Sequence, residues 1–182
     1  MKKLSLLAIL FISSISIFAQ QNDNDYSLMK KEVKINMSNL IGFKWLDVGY
    51  ERILNEESSI GFGTLFSLDG DMDGLDEYRT FSLTPYYRHF FSNKYAQGFF
   101  VEAFTMLHSG EEELYYSNSG PYDSYVEEKY TDFAAGISVG AKFITKRGFI
   151  AEIYAGIGRD LLGQSGIEVV GRGGISIGYR FQ

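Results

Sequence analysis

The feature that most constrains this chain is an alternation of apolar and polar residues, with a period of two, in eight separate runs. Successive side chains of a β-strand point to opposite faces, so each run makes a strand with one apolar and one polar face. In one run, Phe133, Ile137 and Phe143 share a face that Ser138 and Lys142 do not. The pattern predicts an all-β protein whose strands span roughly 33–41, 45–54, 58–68, 78–91, 98–110, 128–145, 148–160 and 167–181.

The composition agrees with many short strands in one domain. Aromatic residues make up 16% of the 182 residues, and glycine is frequent whereas proline is scarce. The formal net charge of -6 disfavours nucleic acid as a partner, because the phosphates would be repelled. The chain has no cysteine, which excludes disulfides, lipid attachment at cysteine and thiolate zinc sites.

The first residues have the pattern of a secretory signal peptide. Lys2 and Lys3 are followed by an apolar stretch, and Ala19 supplies the small residue before the cleavage point. An uncleaved membrane anchor is disfavoured, because the apolar stretch is shorter than the ~20 residues of a spanning helix. Loss of the two lysines takes the net charge from -6 to -8. We predict a signal peptide at 1–19, an N-terminal leader at 20–31 and a β-barrel at 32–182.

Two kinds of barrel have amphipathic strands, and the polar faces distinguish them. A soluble barrel turns its apolar faces inward, whereas a membrane barrel turns them outward toward lipid. Gly136, Gly140 and Gly156 lie on polar faces. Glycine weakens a solvated strand, but in a narrow lumen it leaves room for long charged side chains. We therefore predict an eight-stranded antiparallel transmembrane β-barrel, with a soluble exported ligand-binding barrel as the alternative.

The charges on the polar faces are predicted to lie in the lumen and to pair there, because an unpaired buried charge is costly. Eight strands enclose little more than their own side chains, so we expect no open pore. The predicted lumen charges are Lys34, Asp47, Glu51, Arg88, Glu102, Lys142, Glu152, Arg172 and Arg180. Among them, Glu51, Glu102 and Glu152 are expected to pair with Arg88, Lys142, Arg172 and Arg180.

The connections between the predicted strands alternate in length. Segments 69–77 and 111–127 are the longest and fall at one end with 161–166, whereas the other end has short turns. Membrane barrels have short periplasmic turns and longer outer loops, so we predict that the long segments face outward. An aromatic girdle is expected near the periplasmic strand ends, from Tyr50, Tyr87, Phe90, Phe91, Phe99, Phe149, Tyr179 and Phe181.

The stretches GFKWLDVGYERIL, SLTPYYRHFFSNKYAQGFFVEAF and GIEVVGRGGISIGYRF resemble small outer-membrane barrel proteins of the OmpX, OmpW and OmpA membrane-domain type. The closer likeness is to a family of short outer-membrane barrels whose domain has no known function. The resemblance implies an outer-membrane location and contact with outer-membrane lipid and lipopolysaccharide, and it implies no known activity. The terminal alternation of Ile175, Ile177, Tyr179 and Phe181 resembles the signal read by the barrel assembly machinery, although Gln182 follows it.

Segment 68–77, LDGDMDGLDE, contains the D-x-D-x-D-G core of an EF-hand calcium loop. The closing bidentate Glu of such a loop is replaced by Thr80, and the predicted neighbours are strands, so an EF-hand is disfavoured. We interpret the segment as a solvated loop in which Asp69, Asp71 and Asp73 are candidate ligands of a loosely bound divalent cation. No cofactor is predicted. Segment 111–127 is also acidic and rich in tyrosine, which suits contact with a surface ligand.

The only candidate general base near the outer rim is His108, because His89 falls in the periplasmic half. Ser109 follows it, but adjacent strand residues point to opposite faces and form no dyad. No G-x-S-x-G motif is present. The leading prediction is a non-enzymatic outer-membrane protein with a structural or surface-interaction role through its acidic loops. A rim-located lipid-modifying enzyme that uses His108 is the alternative.

Overall fold

The computed structural model of the protein describes residues 29–68, 79–116, 124–163 and 168–182, which form one closed antiparallel barrel. This confirms the predicted all-β class and the eight-stranded antiparallel barrel, whereas the predicted signal peptide lies outside the described residues. The elements are β1 (Lys31–Asn36), α1 (Met37–Phe43), β2 (Trp45–Ile53), β3 (Ser58–Ser67), β4 (Phe81–Phe90), β5 (Gly98–Tyr116), β6 (Ser124–Ile144), β7 (Phe149–Asp160) and β8 (Val169–Phe181).

Each strand pairs with its neighbours in chain order, and the first and last strands close the sheet. β1 runs antiparallel to β8, from Lys31 opposite Phe181 to Asn36 opposite Ser176. β1 also pairs with β2, so both of its sides are bonded. Closure removes the open edges through which a sheet would otherwise pair with other chains.

The strands turn their apolar faces outward and their polar faces into the lumen. On β7, Ile153 and Ile157 are exposed on the outer surface, whereas Glu152 and Tyr154, on either side of Ile153, are buried. The same alternation continues around the barrel, as the period-two pattern predicts. The exposed outer surface includes Val33, Ile60, Phe62, Leu83, Tyr87, Phe99, Leu107, Ile137, Val139, Phe143, Ile175 and Ile177.

The strand predicted at 33–41 is wrong in its second half. β1 begins at Lys31 and ends at Asn36, and residues 37–43 form α1. The Asn36 side chain accepts a hydrogen bond from the Asn39 backbone N–H, which is the usual N-cap arrangement. Lys44 ends the helix in the left-handed conformation with a φ of 52°. The helix lies at the end of the barrel where β3 ends and β4 begins, which we call the loop end.

The loop predicted at 111–127 is largely paired backbone. β5 and β6 pair from Gly98 opposite Lys142 to Tyr116 opposite Ser124, well past the point where β4 begins and β7 ends. The β5–β6 hairpin therefore continues beyond the rest of the barrel at the loop end. Positions 117–123 lie outside the described residues.

The opposite end, which we call the turn end, is closed by the connection at 91–97. The Ala96 N–H donates to the Glu56 carbonyl, and Arg180 donates to the carbonyls of Tyr95 and Ala96. Ala96 is fully buried against Phe90. Phe90 thus belongs to the lumen and not to the predicted aromatic girdle, because it lies one position out of phase with exposed Phe91.

Candidate functional site

The inward faces of several strands bring a large group of charged side chains together in the lumen. Of the predicted lumen charges, only Asp47 and Arg172 are partly exposed. The others are buried: Lys34, Glu51, Arg88, Glu102, Lys142, Glu152 and Arg180. The period-two pattern places these residues on inward faces, and the barrel then makes distant strands meet across its interior.

Arg88 lies at the centre of this charged group. Its Nε donates to Glu102 at 2.6 Å, and its Nη1 donates to Glu152 at 2.7 Å and to Glu51 at 3.0 Å. The guanidinium also lies over the Phe100 ring, 4.3 Å from the centroid. One cation therefore joins strands β2, β5 and β7 to β4, with an aromatic face that favours the positive charge.

Two lysines complete the pairing of Glu51 and extend it toward the turn end. Lys34 donates to Glu51 at 2.5 Å and to Glu152 at 2.9 Å. Lys142 donates to the other oxygen of Glu51 at 2.5 Å and to Glu32 at 2.8 Å. Such bidentate sharing satisfies both oxygens of a buried carboxylate, which lowers the cost of burying it.

Sequence reasoning missed one member of the group, Glu32. It is fully buried, and it accepts hydrogen bonds from Arg180 at 2.7 Å and from Lys142. Arg180 therefore pairs with Glu32 and not with the glutamates expected for it. Asp47 also differs from its prediction, because it accepts hydrogen bonds from the amides of Asn36 and Asn39.

The charged group is balanced and closely packed. The void beside Lys34 and Arg88 has a volume of only about 20 Å³, room for about one water molecule. The acidic members Glu32, Asp47, Glu51, Glu102 and Glu152 are matched in number by the basic members Lys34, Arg88, Lys142, Arg172 and Arg180. The arrangement holds the wall strands together and leaves no exposed group for chemistry in the middle of the lumen.

The loop end contains a buried histidine–carboxylate pair. His108 Nε2 lies 2.8 Å from Asp160 Oδ1, and both side chains are buried. Ser109 turns its side chain away from His108, and its carbonyl accepts hydrogen bonds from Thr80. Among the described residues, no serine hydroxyl is hydrogen-bonded to His108.

The candidate cation ligands Asp69, Asp71 and Asp73 lie outside the described residues. Within the described residues, the side chains of histidine, aspartate and glutamate form no group suited to holding a metal ion.

Comparisons with known proteins add no assignment to this geometry. No protein-family model, no curated protein and no solved structure matches the chain. In the part of the chain that the structure describes, no helix is long and apolar enough to cross a membrane.

Proposed function

We propose that this chain is an integral outer-membrane β-barrel protein with a sealed lumen and a structural or surface-interaction role. The observation that carries the proposal is the inverted distribution of side chains. Ile137 is 61% exposed and Ile157 is 60% exposed on the outer surface, whereas Arg88 and Lys142 are buried inside. A barrel that folds in water gains most by burying its apolar face, so this distribution suits a lipid surrounding.

The dimensions and closure of the barrel support the same proposal. β3 and β4 each have 10 residues, β7 has 12 and β8 has 13. A tilted strand needs about 9–11 residues to cross the hydrocarbon core of a bilayer. Closure satisfies the backbone hydrogen bonds between strands, as hydrocarbon requires.

The role is proposed from the two ends of the molecule. The turn end is closed by residues 91–97, and the centre of the lumen is packed, so conduction is disfavoured. The loop end continues into segments 69–77 and 111–127, whose acidic sequences suit contact with a surface ligand or with cations that bridge lipopolysaccharide phosphates.

Membrane extraction tests the location. Membranes from cells that produce the chain are washed with alkaline carbonate and then analysed by gel with and without boiling. We expect the chain to remain in the pellet and to migrate differently before and after boiling, because a closed barrel stays folded in detergent. Recovery of a folded chain in the wash would support the soluble exported barrel and overturn the proposal.

Complementation tests the role. A deletion strain is expected to admit a large apolar dye more readily than the wild type, and the wild-type gene is expected to restore the barrier. A variant whose acidic residues in 69–77 and 111–113 are replaced by Asn and Gln is expected to restore it incompletely. Full restoration by this folded variant would show that the acidic loops do not carry the role.

A further inference from the structure

A cavity of about 290 Å³ lies in the loop-end half of the lumen, between the charged group and α1. It is much larger than the void among the paired charges. Its volume approaches ~300 Å³, the lower end of the usual range for ligand pockets. Its lining combines cationic, anionic, indole and apolar side chains, among them Phe43, Trp45, Asp47, Leu65, Met106 and Arg172.

Arg172 lines this cavity, and we call its two terminal nitrogens, Nη1 and Nη2, the Arg172 fork. Its Nε donates to Glu102 at 2.9 Å, and its guanidinium lies 5.1 Å from the Tyr86 ring centroid. No described residue accepts a hydrogen bond from Nη1 or Nη2 of Arg172. Arg180 differs, because its Nε, Nη1 and Nη2 all donate to protein oxygens.

Gly63 shows where the free fork points. A Cβ atom built on Gly63 would lie 3.3 Å from Nη1 and 3.8 Å from Nη2 of Arg172. Asp47 Oδ1 lies 3.9 Å from the same point, so the fork faces the bare backbone of Gly63 with one carboxylate oxygen beside it. A planar guanidinium with two free nitrogens matches the two oxygens of a carboxylate.

Trp45 lies in the wall of the same cavity. Its side chain is buried, and its Nε1 has no hydrogen-bond partner among the described residues. A buried indole N–H normally has an acceptor, because leaving it unpaired is costly. Asp47, two residues after Trp45 on β2, accepts hydrogen bonds from the Asn36 and Asn39 amides through Oδ2.

We propose that this cavity binds a small carboxylate that carries a compact apolar group. The carboxylate oxygens accept from the Arg172 fork, and the apolar group packs against Trp45, Leu65 and Met106. Arg79 also lines the cavity and donates to the Gly171 carbonyl, which adds a second positive charge near the ligand. The volume excludes long acyl chains and favours ligands of about the size of benzoate.

Intrinsic fluorescence provides a direct test, because Trp45 is the only tryptophan in the chain. The full chain, folded in detergent micelles, is titrated with benzoate, with its neutral analogue benzamide and with inorganic phosphate. We expect a saturable change in tryptophan emission with benzoate and none with benzamide. The absence of a saturable benzoate signal, an equal response to benzamide, or a response to phosphate alone would each overturn the carboxylate assignment.

Variants of the cavity locate the binding site. Gly63→Val fills the space beside Arg172, and calorimetry is expected to show benzoate affinity reduced by at least about tenfold, as for loss of a charged hydrogen bond. Trp45→Phe keeps an aromatic side chain but shortens the apolar wall, and we expect affinity to fall by about fivefold. Arg159→Gln, on the outer face of β7, is the matched control and should bind as the wild type does.

Heat-modified gel mobility identifies which variants are folded before binding is measured. If Gly63→Val does not fold, Trp45→Phe remains as an independent test, because it makes a side chain of the wall smaller and introduces no clash. Wild-type benzoate affinity in a folded Gly63→Val or Trp45→Phe variant would exclude this cavity as the binding site.

Discussion

Arg88 illustrates how this barrel accommodates a charge away from water. Removing a guanidinium from water costs several kcal/mol, and a single carboxylate often fails to offset that cost. Here Glu51, Glu102 and Glu152 all accept from the same side chain. The remaining oxygens of Glu51 and Glu102 are bonded as well, by Ser59 to Glu51 at 2.6 Å and by Ser138 to Glu102 at 3.0 Å. The group therefore acts as a unit, and loss of its central cation leaves several buried anions undercompensated.

Replacement of Arg88 tests this dependence. We expect Arg88→Ala to lower the free energy of unfolding by about 3–5 kcal/mol, the usual cost of breaking a buried ion pair from one side. Thermal unfolding in detergent, followed by the heat-modified gel shift, measures the loss. Arg52→Ala is the control, because Arg52 lies on the exposed outer face of β2. Equal stability of the two variants would contradict a structural role for the buried charges.

The sequence could predict which side of the barrel wall most lumen residues face. In a long run, many neighbouring residues show which alternate positions are polar, and these positions share one face of the strand. Glu32 escaped because it precedes the first predicted run, where few residues define the phase. Its alternation with Lys34 and Asn36 was nonetheless present in KEVKIN. Which acid pairs with which base could not be predicted, since strand stagger decides which side chains meet across the lumen.

Two inward-facing glycines form a contrasting pair for a second prediction. A Cβ on Gly140 would lie 2.5 Å from the Ile153 carbonyl oxygen, whereas a Cβ on Gly49 meets nothing closer than 3.8 Å. We expect Gly140→Ala to destabilise the barrel by about 1–3 kcal/mol through overpacking. Gly49→Ala should be neutral or stabilise it by up to about 1 kcal/mol, because alanine restricts the unfolded chain. Denaturant unfolding in micelles measures both, and a larger loss for Gly49→Ala would refute the reasoning.

Among the elements, α1 departs most from the prediction. Its sequence MSNLIGF has no strong helical signal, and the preceding alternation predicts that the strand continues. The turn is fixed by contacts from far along the chain: the Asn36 amide donates to Asp47 and to the Gly173 carbonyl, and the Ile175 N–H donates to Ser38. Helix propensity depends on the local sequence, whereas these bonding partners lie elsewhere in the chain. Tertiary contacts therefore decide the conformation of this segment.

The β5–β6 hairpin offers a prediction about an element. Beyond Ser109 its strands pair with each other but not with β4, so this part adds little to the barrel wall. Replacing residues 112–128 by a two-residue Asn-Gly turn, which joins the paired positions Glu111 and Lys129, is expected to leave the unfolding temperature within a few degrees of the wild type.

Deletion of 92–96 at the turn end is the comparison, because it removes the Arg180–Ala96 hydrogen bond and the buried Ala96. That deletion is expected to lower the unfolding temperature clearly. If trimming the hairpin destabilises the barrel as much as this deletion does, the projecting part is a structural component of the wall.

The whole molecule is organised in the opposite sense to a water-soluble barrel. Charged and hydrogen-bonding groups fill the interior, and isoleucine, valine and phenylalanine cover the outer wall. The sequence predicted this architecture because glycine and charge recur on the same strand faces, a combination that suits a narrow interior. It could not predict the cavity below α1, because that space depends on how the helix and the side chains of several strands meet. If the barrel is inserted in a membrane, as we propose, its apolar outer wall faces lipid, and the orientation of the barrel is the next property to test.

Single cysteines test the orientation, since the natural chain has none that would interfere. Ile41 in α1 is 77% exposed at the loop end, and Lys146 is exposed in a short connection at the turn end. With the loop end outward, a membrane-impermeant maleimide should label Ile41→Cys on intact cells. Lys146→Cys should react only after the outer membrane has been permeabilised, because its turn faces the periplasm. Labelling of Lys146→Cys alone on intact cells would reverse the orientation, and equal labelling of both variants would be inconsistent with a barrel that spans the membrane.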